Sequence, residues 1–255
     1  MDTTFRALCI LGLAAASLAA ADAPYIGKWK LNPAKSQLTG ETVTVEKMPD
    51  GTIHQQQGDF VFSFKLDGKE YPMPDGSTTA WKVVDANTWD RVDRAKGKVA
   101  VTSRLTLQGD IVTITYHATK PDGGTLDGSS KWKRVSGGPG FYGKFKSTEQ
   151  NSAFSNMELT ANGADGVSFR FPDDGSMCDA KLDGKDYPVT GPQAGGKETF
   201  SLKKTGARSI EITEKLDGKP MGVDKFVVSA DGKTLTDEGT PASTKEITKA
   251  VFDRQ

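Results

Sequence analysis

The feature that most constrains the fold of this chain is an internal repeat. The segment Leu66-Asp67-Gly68-Lys69-Glu70-Tyr71-Pro72 recurs as Leu182-Asp183-Gly184-Lys185-Asp186-Tyr187-Pro188, and Gly27-Lys28-Trp29-Lys30 recurs as Gly143-Lys144-Phe145-Lys146. Both pairs lie 116 residues apart, and later matches lie 120 to 121 residues apart because the second copy carries a small insertion near 191–196. The sequence therefore predicts two tandem copies of one unit, at 24–136 and 141–255, joined by a Gly/Pro linker at 137–140.

Within each copy, apolar and polar residues alternate with a period of two, which is typical of half-buried β-strands. The alternation is clear at 60–66, 99–107 and 112–116, and Asp-Gly dipeptides that favour tight turns separate such runs. The one helical signal is Asn32-Pro33, which allows only a turn or two. Sequential antiparallel strands with one apolar face must protect their edges. We therefore expect an all-β fold of two tandem antiparallel up-and-down β-barrels.

The first residues differ from the rest of the chain. Arg6 precedes an uncharged apolar run from Ala7 to Ala20, and small residues follow its most apolar part. This order predicts a secretory signal peptide at 1–21, with the mature chain beginning between Ala20 and Asp22. A membrane anchor is the alternative, but the run is shorter than a spanning helix needs, so no span is expected in the mature chain. Cys178 would then be the one mature cysteine, and secretion without a disulfide favours a periplasmic or secreted bacterial protein.

Composition and motifs argue against several function classes. The 33 Lys and Arg balance 33 Asp and Glu, so no bulk field attracts nucleic acid. The only histidines, His54 and His117, lie on alternating strands and are predicted to be rim or surface residues. Two histidines and one mature cysteine do not form a spaced metal-ligand set, and no nucleophile elbow or phosphate loop occurs. We predict no catalytic residues, no metal, no cofactor and no enzyme activity.

The repeated Leu-Asp-Gly-Lys-(Glu/Asp)-Tyr-Pro segment is predicted to be a structural hairpin signature. Gly68 and Gly184 can take the positive φ of a tight turn, and Pro72 and Pro188 would end the strand by removing a donor. Tyr71 or its second copy hydrogen-bonding a ligand is the alternative.

An opening Gly-x-Trp strand, a helical turn, a run of hairpins and a last strand ending in Arg resemble the calycins, the group that includes lipocalins and intracellular fatty-acid-binding proteins. Gly27-Lys28-Trp29-Lys30-Leu31-Asn32-Pro33-Ala34-Lys35-Ser36, with the repeated segment above, is more closely similar to secreted bacterial lipocalin-like proteins. The resemblance covers 24–255 and implies lipocalin-like β-barrels. It says little about function, because many functions share one fold.

The resemblance implies a plug at one end of each barrel, in which an Arg of the last strand packs over the aromatic residue of the first. The matching pairs within each copy are Trp29 with Arg134, and Phe145 with Arg254. Fatty-acid-binding proteins also hold a ligand carboxylate with an Arg-x-Tyr pair on the last strand. The first copy has Ser130 and Trp132 there, so neither this copy nor the second retains that clamp.

The remaining candidates are apolar residues predicted to line the barrel interiors, where closed barrels of this size can hold a small ligand. They are Phe62, Phe64, Trp81, Trp89, Leu105, Phe200 and Ile210. All four tryptophans lie in the first copy, so their emission is expected to report the first barrel alone. The favoured function is an exported binding protein holding a small hydrophobic or amphipathic ligand in one or both barrels. The alternative is a structural or interaction protein of the envelope with filled barrels, and protein partners are not predicted.

Overall fold

The protein consists of two ten-stranded antiparallel sheets, each curled into a nearly closed barrel. The computed structural model describes residues 23–120, 123–151, 155–192, 194, 196–242 and 247–255. The architecture confirms the predicted all-β class with two antiparallel barrels. The predicted signal peptide lies outside the described residues. In the part of the chain that is described, no helix is long and apolar enough to cross a membrane.

Each copy of the repeat contributes ten strands, and a 3-10 helix at Pro33–Lys35 follows the first of them. The strands of the first copy are β1 (Gly27–Leu31), β2 (Thr42–Lys47), β3 (Ile53–Gln57), β4 (Phe60–Phe64), β5 (Asp67–Pro72), β6 (Thr78–Asp85), β7 (Thr88–Ala95), β8 (Lys98–Gln108), β9 (Ile111–Thr119) and β10 (Thr125–Ser136). Those of the second copy are β11 (Gly143–Asn151), β12 (Asn156–Ala161), β13 (Gly166–Phe171), β14 (Ser176–Lys181), β15 (Asp183–Pro188), β16 (Glu198–Gly206), β17 (Ser209–Leu216), β18 (Lys219–Val228), β19 (Thr234–Pro241) and β20 (Thr248–Arg254).

The first strand of each copy lies in the barrel of the other copy. Strand β11 pairs with β2 and β10, whereas β1 pairs with β12 and β20. The first barrel is therefore β2–β11, a continuous stretch from 42 to 151, and the second barrel combines β1 with β12–β20. The predicted boundaries 24–136 and 141–255 are wrong by one strand each, because a repeat gives the unit length but not the sheet that each strand joins.

The Gly/Pro segment 137–140 is not a linker between barrels. It belongs to the turn that connects β10 to β11, and these two strands are neighbours in one sheet. The chain passes from one barrel to the other at two different places, between β1 and β2 and between β11 and β12. Glycine and proline therefore marked a turn within the first barrel.

At both places where the chain passes from one barrel to the other, called crossings below, a carboxylate accepts hydrogen bonds from the connecting segment. At the first crossing, the Asn32 amide and the Lys35 ammonium donate to the two oxygens of Asp253 on β20, at 2.6 and 2.7 Å. At the second, Asp173 accepts hydrogen bonds from the backbone and the side-chain nitrogen of Asn156, at 2.8 and 2.9 Å. These contacts tie both connecting segments to the second barrel.

Each barrel has its own apolar core. Trp81, Trp89 and Trp132 belong to the first core, but Trp29 is packed in the second because β1 lies there. Tryptophan emission therefore reports both barrels, and the expectation that it reports the first alone is wrong.

The repeated Asp-Gly motif lies where each sheet ends. Strands β4 and β5 are consecutive in the chain but form the two ends of their sheet, so the motif is a corner between them and not a hairpin. As predicted, Gly68 has φ +78° and β5 ends at Pro72. The Asp67 carboxylate accepts a hydrogen bond from the Tyr71 hydroxyl at 3.0 Å, and the same contact recurs at 183–187. These contacts show a structural role for both copies.

Candidate functional site

An arginine covers a buried tryptophan at one end of the second barrel. The Arg254 guanidinium lies 4.2 Å from the Trp29 ring centre, and the Trp29 indole nitrogen donates to the Tyr25 carbonyl at 2.9 Å. The same guanidinium donates to the carbonyls of Ile26 at 2.9 Å and of Pro24. A cation over an indole face is attracted by the ring, so this end of the barrel is plugged.

The first barrel has the equivalent plug with a phenylalanine. The Arg134 guanidinium lies 4.6 Å from the Phe145 ring centre and donates to the carbonyls of Gly138 at 2.7 Å, Tyr142 at 2.5 Å and Gly140. Its side chain is 11% exposed, and it also pairs with Asp110 at 3.0 Å. The guanidinium therefore hydrogen-bonds several carbonyl groups of the turn from β10 to β11.

The two plugs form with partners that differ from those predicted. The prediction paired Trp29 with Arg134 and Phe145 with Arg254, whereas Trp29 contacts Arg254 and Phe145 contacts Arg134. The exchange of β1 and β11 is the cause, because each aromatic residue moves with its strand. A Cβ at Gly27 would collide with Arg254, which explains why a glycine precedes the aromatic residue by two positions.

A cavity of about 100 Å³ lies inside the first barrel. Its walls are mostly aromatic and aliphatic, and its polar members lie on β3, β7 and β8. The lining residues are Val43, Val45, Gln55, Gln57, Trp81, Trp89, Arg91, Ser103, Leu105, Val112, Ile114, Trp132, Phe141 and Phe145. An apolar enclosure with a few polar groups is typical of a small-molecule site.

The corresponding positions of the second barrel explain why the first has this space. Strand register matches three inward positions of the first barrel with three phenylalanines of the second. These pairs are Gln55 with Phe169, Thr79 with Phe200, and Leu105 with Phe226. The Phe169 ring packs edge-on against the Phe200 and Phe226 rings at 6.0 and 6.2 Å, so aromatic rings fill these positions of the second barrel.

Stacked aromatic rings support one side of the cavity. The Phe64 ring stacks on Trp81 at 4.3 Å, and the Trp89 ring stacks on Phe141 at 4.3 Å next to the plug. Trp81 meets Trp89 edge-on at 6.2 Å. Such contacts stabilise these ring orientations.

Beyond Trp89 along β7, the cavity becomes polar. Arg91 and Asp93 form an ion pair with contacts of 2.8 and 2.7 Å, and the guanidinium lies 5.2 Å from the Trp81 ring centre. The Trp132 indole nitrogen donates to Ser130 at 2.8 Å. The Trp81 indole nitrogen is fully buried, and no residue that the structure describes accepts its hydrogen.

The cavity adjoins a groove between the two barrels. Gln57 lines both the cavity and the groove, whose volume is about 430 Å³ and whose other wall includes Met221 and Ile247 of the second barrel. The Gln57 amide donates to Glu41 at 2.8 Å, on the segment that connects the barrels. The cavity and the groove therefore share the Gln57 side chain as a wall.

The interior of the second barrel contains carboxyl groups that the sequence analysis did not single out. Glu214, Asp224 and Asp237 lie on adjacent strands, where Glu214 and Asp224 are hydrogen-bonded to each other and one Asp237 oxygen is buried without a partner among the described residues. Burial raises the pKa of Glu214 and of Asp237 to about 8 each, and that of Asp224 to about 6. Burial also raises the pKa of Glu198 on the neighbouring strand. In the sequence, each of these carboxyl groups occupies an inward position of an alternating strand whose other inward residues are mostly apolar.

In the part of the chain that the structure describes, the other chemically reactive side chains do not assemble into a site. His117 pairs with Asp127 at 2.6 Å and His54 contacts Ser63 at 3.1 Å, both on exposed surfaces. Cys178 is buried, and burial raises the pKa of its thiol to about 11. Among the described residues, no group of three or more His, Cys, Asp or Glu side chains could hold a metal ion.

The predicted lining residues are distributed over both barrels. Trp81, Trp89 and Leu105 line the cavity, whereas Phe62 and Phe64 pack in the same core without lining it. The remaining two, Phe200 and Ile210, lie in the second core. Sequence reasoning missed the polar lining residues Gln55, Arg91 and Ser103. Their signal was a polar residue at an inward position of an alternating strand.

Comparison with known proteins adds no relative. No protein-family model, no curated protein and no solved structure matches this chain. The similarity to calycins therefore depends on the sequence motifs.

Proposed function

We propose that this chain is an exported, non-enzymatic binding protein of lipocalin-like type that holds one small amphipathic molecule inside its first barrel. The observation that carries the proposal is the cavity of about 100 Å³ with tryptophan walls and a few polar groups. Enclosure of a ligand by such walls removes apolar surface from water, which favours binding.

The size of the cavity limits the ligand. An apolar cavity of about 150 Å³ in another protein accepts benzene. A space of about 100 Å³ is smaller, so the part of a ligand that it encloses is at most a single ring or a short branched chain. A fatty acid is too long to be enclosed, and neither copy keeps the carboxylate clamp of fatty-acid-binding proteins.

The two barrels have different tasks in this proposal. Phe169 and Phe226 of the second barrel occupy the positions of the cavity-lining residues Gln55 and Leu105, so the second barrel serves as a structural partner that supplies one wall of the groove. The plug at Phe145 closes one end of the first barrel, and the ligand enters near Gln57. Export, inferred from the N-terminal sequence, suits capture of a molecule outside the cytoplasm.

The test compares two glutamine replacements on one strand. Gln55→Phe places the counterpart of Phe169 in the cavity, whereas Gln56→Phe alters an exposed neighbour on the opposite face. Saturating benzyl alcohol, at about 100 times its Kd, should stabilise the wild type and Gln56→Phe by about 2.7 kcal/mol. Gln55→Phe should lose that increase while keeping its circular dichroism. The measurements are thermal unfolding and titration calorimetry.

Two results would contradict the proposal. One is that none of a series of single-ring alcohols, ketones and hydrocarbons raises the melting temperature of the wild type. The other is that both phenylalanine variants lose the effect equally. Either result would favour the alternative, an envelope interaction protein whose barrels are scaffolds.

A further inference from the structure

A tryptophan that lines the cavity of the first barrel carries a hydrogen-bond donor without an acceptor. Trp81 lines the cavity and is 2% exposed, and its indole N–H has no acceptor among the described residues. On the same face of β6, the Thr79 hydroxyl is also buried without a partner. Buried donors in folded proteins are nearly always satisfied, so the N–H of the cavity-lining Trp81 indicates a missing acceptor, whereas Thr79 does not line the cavity.

The rest of the molecule shows that the fold does not require this donor. The Trp29 and Trp132 indoles are both satisfied, by the Tyr25 carbonyl and by Ser130. In the second barrel the position of Trp81 is held by Leu202, which is fully buried and has no polar atom to satisfy. The same barrel position therefore accepts an apolar side chain.

The charges near the cavity restrict what the partner can be. Arg91 is the cation that lines the cavity, and the Asp93 carboxylate neutralises it through two short contacts. An anionic ligand would have to compete with Asp93 for Arg91, and a cationic ligand would meet the guanidinium. Since burying an uncompensated charge is costly, the site favours a neutral molecule.

We infer that the ligand is an uncharged, ring-sized molecule with an oxygen acceptor, such as a ketone, ester or ether, which accepts a hydrogen bond from the Trp81 indole nitrogen. This inference rests on the proposed function of the first barrel. The proposed function concerns the size and the apolar part of the ligand, and this inference adds its polar group.

The experiment uses the full chain and two compounds of similar shape, acetophenone and α-methylstyrene, of which only the first has an acceptor. Titration calorimetry measures both affinities, and ¹⁵N–¹H spectra follow the four indole signals. We expect acetophenone to bind roughly 2- to 12-fold more tightly, as the net worth of one neutral hydrogen bond predicts. Its binding should shift the Trp81 indole proton downfield, and α-methylstyrene should not.

Two variants distinguish the contribution of the N–H donor to affinity from that of the aromatic ring. Trp81→Phe removes the unpaired N–H, and Trp132→Phe makes the same change in the same cavity at an indole that Ser130 already satisfies. The affinity ratio should fall to about one in Trp81→Phe and persist in Trp132→Phe.

The possible failures point to different steps of the reasoning. Equal binding of both compounds by the wild type, without an indole shift, would overturn this inference and leave the proposed function intact. Tighter binding of benzoate than of acetophenone would overturn the assignment of a neutral ligand. Binding of neither compound would overturn the proposed function and this inference together.

Discussion

Fragments cut at the observed barrel boundary should fold, and fragments cut at the repeat boundary should not. Residues 42–151 contain all ten strands of the first barrel. Residues 24–136 lack β11 and carry β1, whose partners β12 and β20 are then missing. We therefore expect 42–151 to fold cooperatively alone, and 24–136 to fail.

The loss of stability expected for the fragment 24–136 follows from the absence of β11. Phe145 is 2% exposed, and removing a buried phenylalanine costs about 3–5 kcal/mol. Without β11, Arg134 also loses its aromatic contact, and β2 and β10 become open edges. A domain of this size has only about 5–15 kcal/mol of stability in total, so 24–136 should lose most or all of it.

The second barrel allows a complementary assay with a single fluorophore. All four tryptophans precede residue 152, so the fragment 152–255 has none, and Trp29 is the only tryptophan of a peptide spanning 23–36. Mixing the two should complete the ten strands and shift Trp29 emission to shorter wavelength as the indole is buried. Near-ultraviolet circular dichroism and urea unfolding follow the larger fragments. A cooperative transition for 24–136 as stable as that of 42–151, or no emission change on mixing, would refute the strand exchange.

Further outcomes are expected from single changes. Arg134→Ala should destabilise the first barrel by roughly 2–3 kcal/mol in urea unfolding, because the contacts of a largely buried guanidinium with the ring and the carbonyls are lost. The control Arg104→Ala breaks an exposed ion pair and should destabilise the protein by under about 1 kcal/mol. Gly68→Val should cost about 1–3 kcal/mol because φ is +78°, whereas Gly138→Val, at an unhindered glycine without positive φ, should cost little. Folding raises the carboxyl pKa values of the second barrel, so the stability that these groups contribute is complete below about pH 4 and should be lost as pH rises through 6 to 8. Asp237→Asn should flatten this profile.

Much of the fold could be predicted from the sequence because local patterns decide it. The period of two along 60–66 and 112–116 fixes strands whose inner face is apolar, and both runs form strands with inward aromatic or aliphatic residues. The left-handed glycine and the strand-ending proline of the repeated motif have local causes too. Each of these signals acts within a few residues.

The exchange of first strands could not be predicted in the same way. Strands β1 and β11 share the pattern Gly-Lys-aromatic-Lys, so either fits beside a barrel edge with its aromatic residue under an arginine. Which barrel receives which strand is a matter of long-range pairing, and contacts at the crossings, such as Asp253 with Lys35, join residues more than 200 positions apart. The cavity was missed for a similar reason. Gln55 and Phe169 can be recognised as equivalent positions only when the strand registers of both barrels are known.

The different construction of the two barrels leads to different responses to pH and ligand. The raised carboxyl pKa values belong to β17, β18 and β19, so alkaline solution should loosen the second barrel, while the continuous first barrel keeps its closed sheet. Trp29 reports the second barrel and the other three tryptophans the first, so 5-fluorotryptophan labelling followed by ¹⁹F spectra can resolve the two transitions in one chain. At pH 9 the Trp29 signal should change at lower urea than the others, and a bound ligand should move only the later transition. One shared transition at every pH would mean instead that contacts such as Lys96 with Gly191, at 2.6 Å, make the two barrels a single cooperative unit.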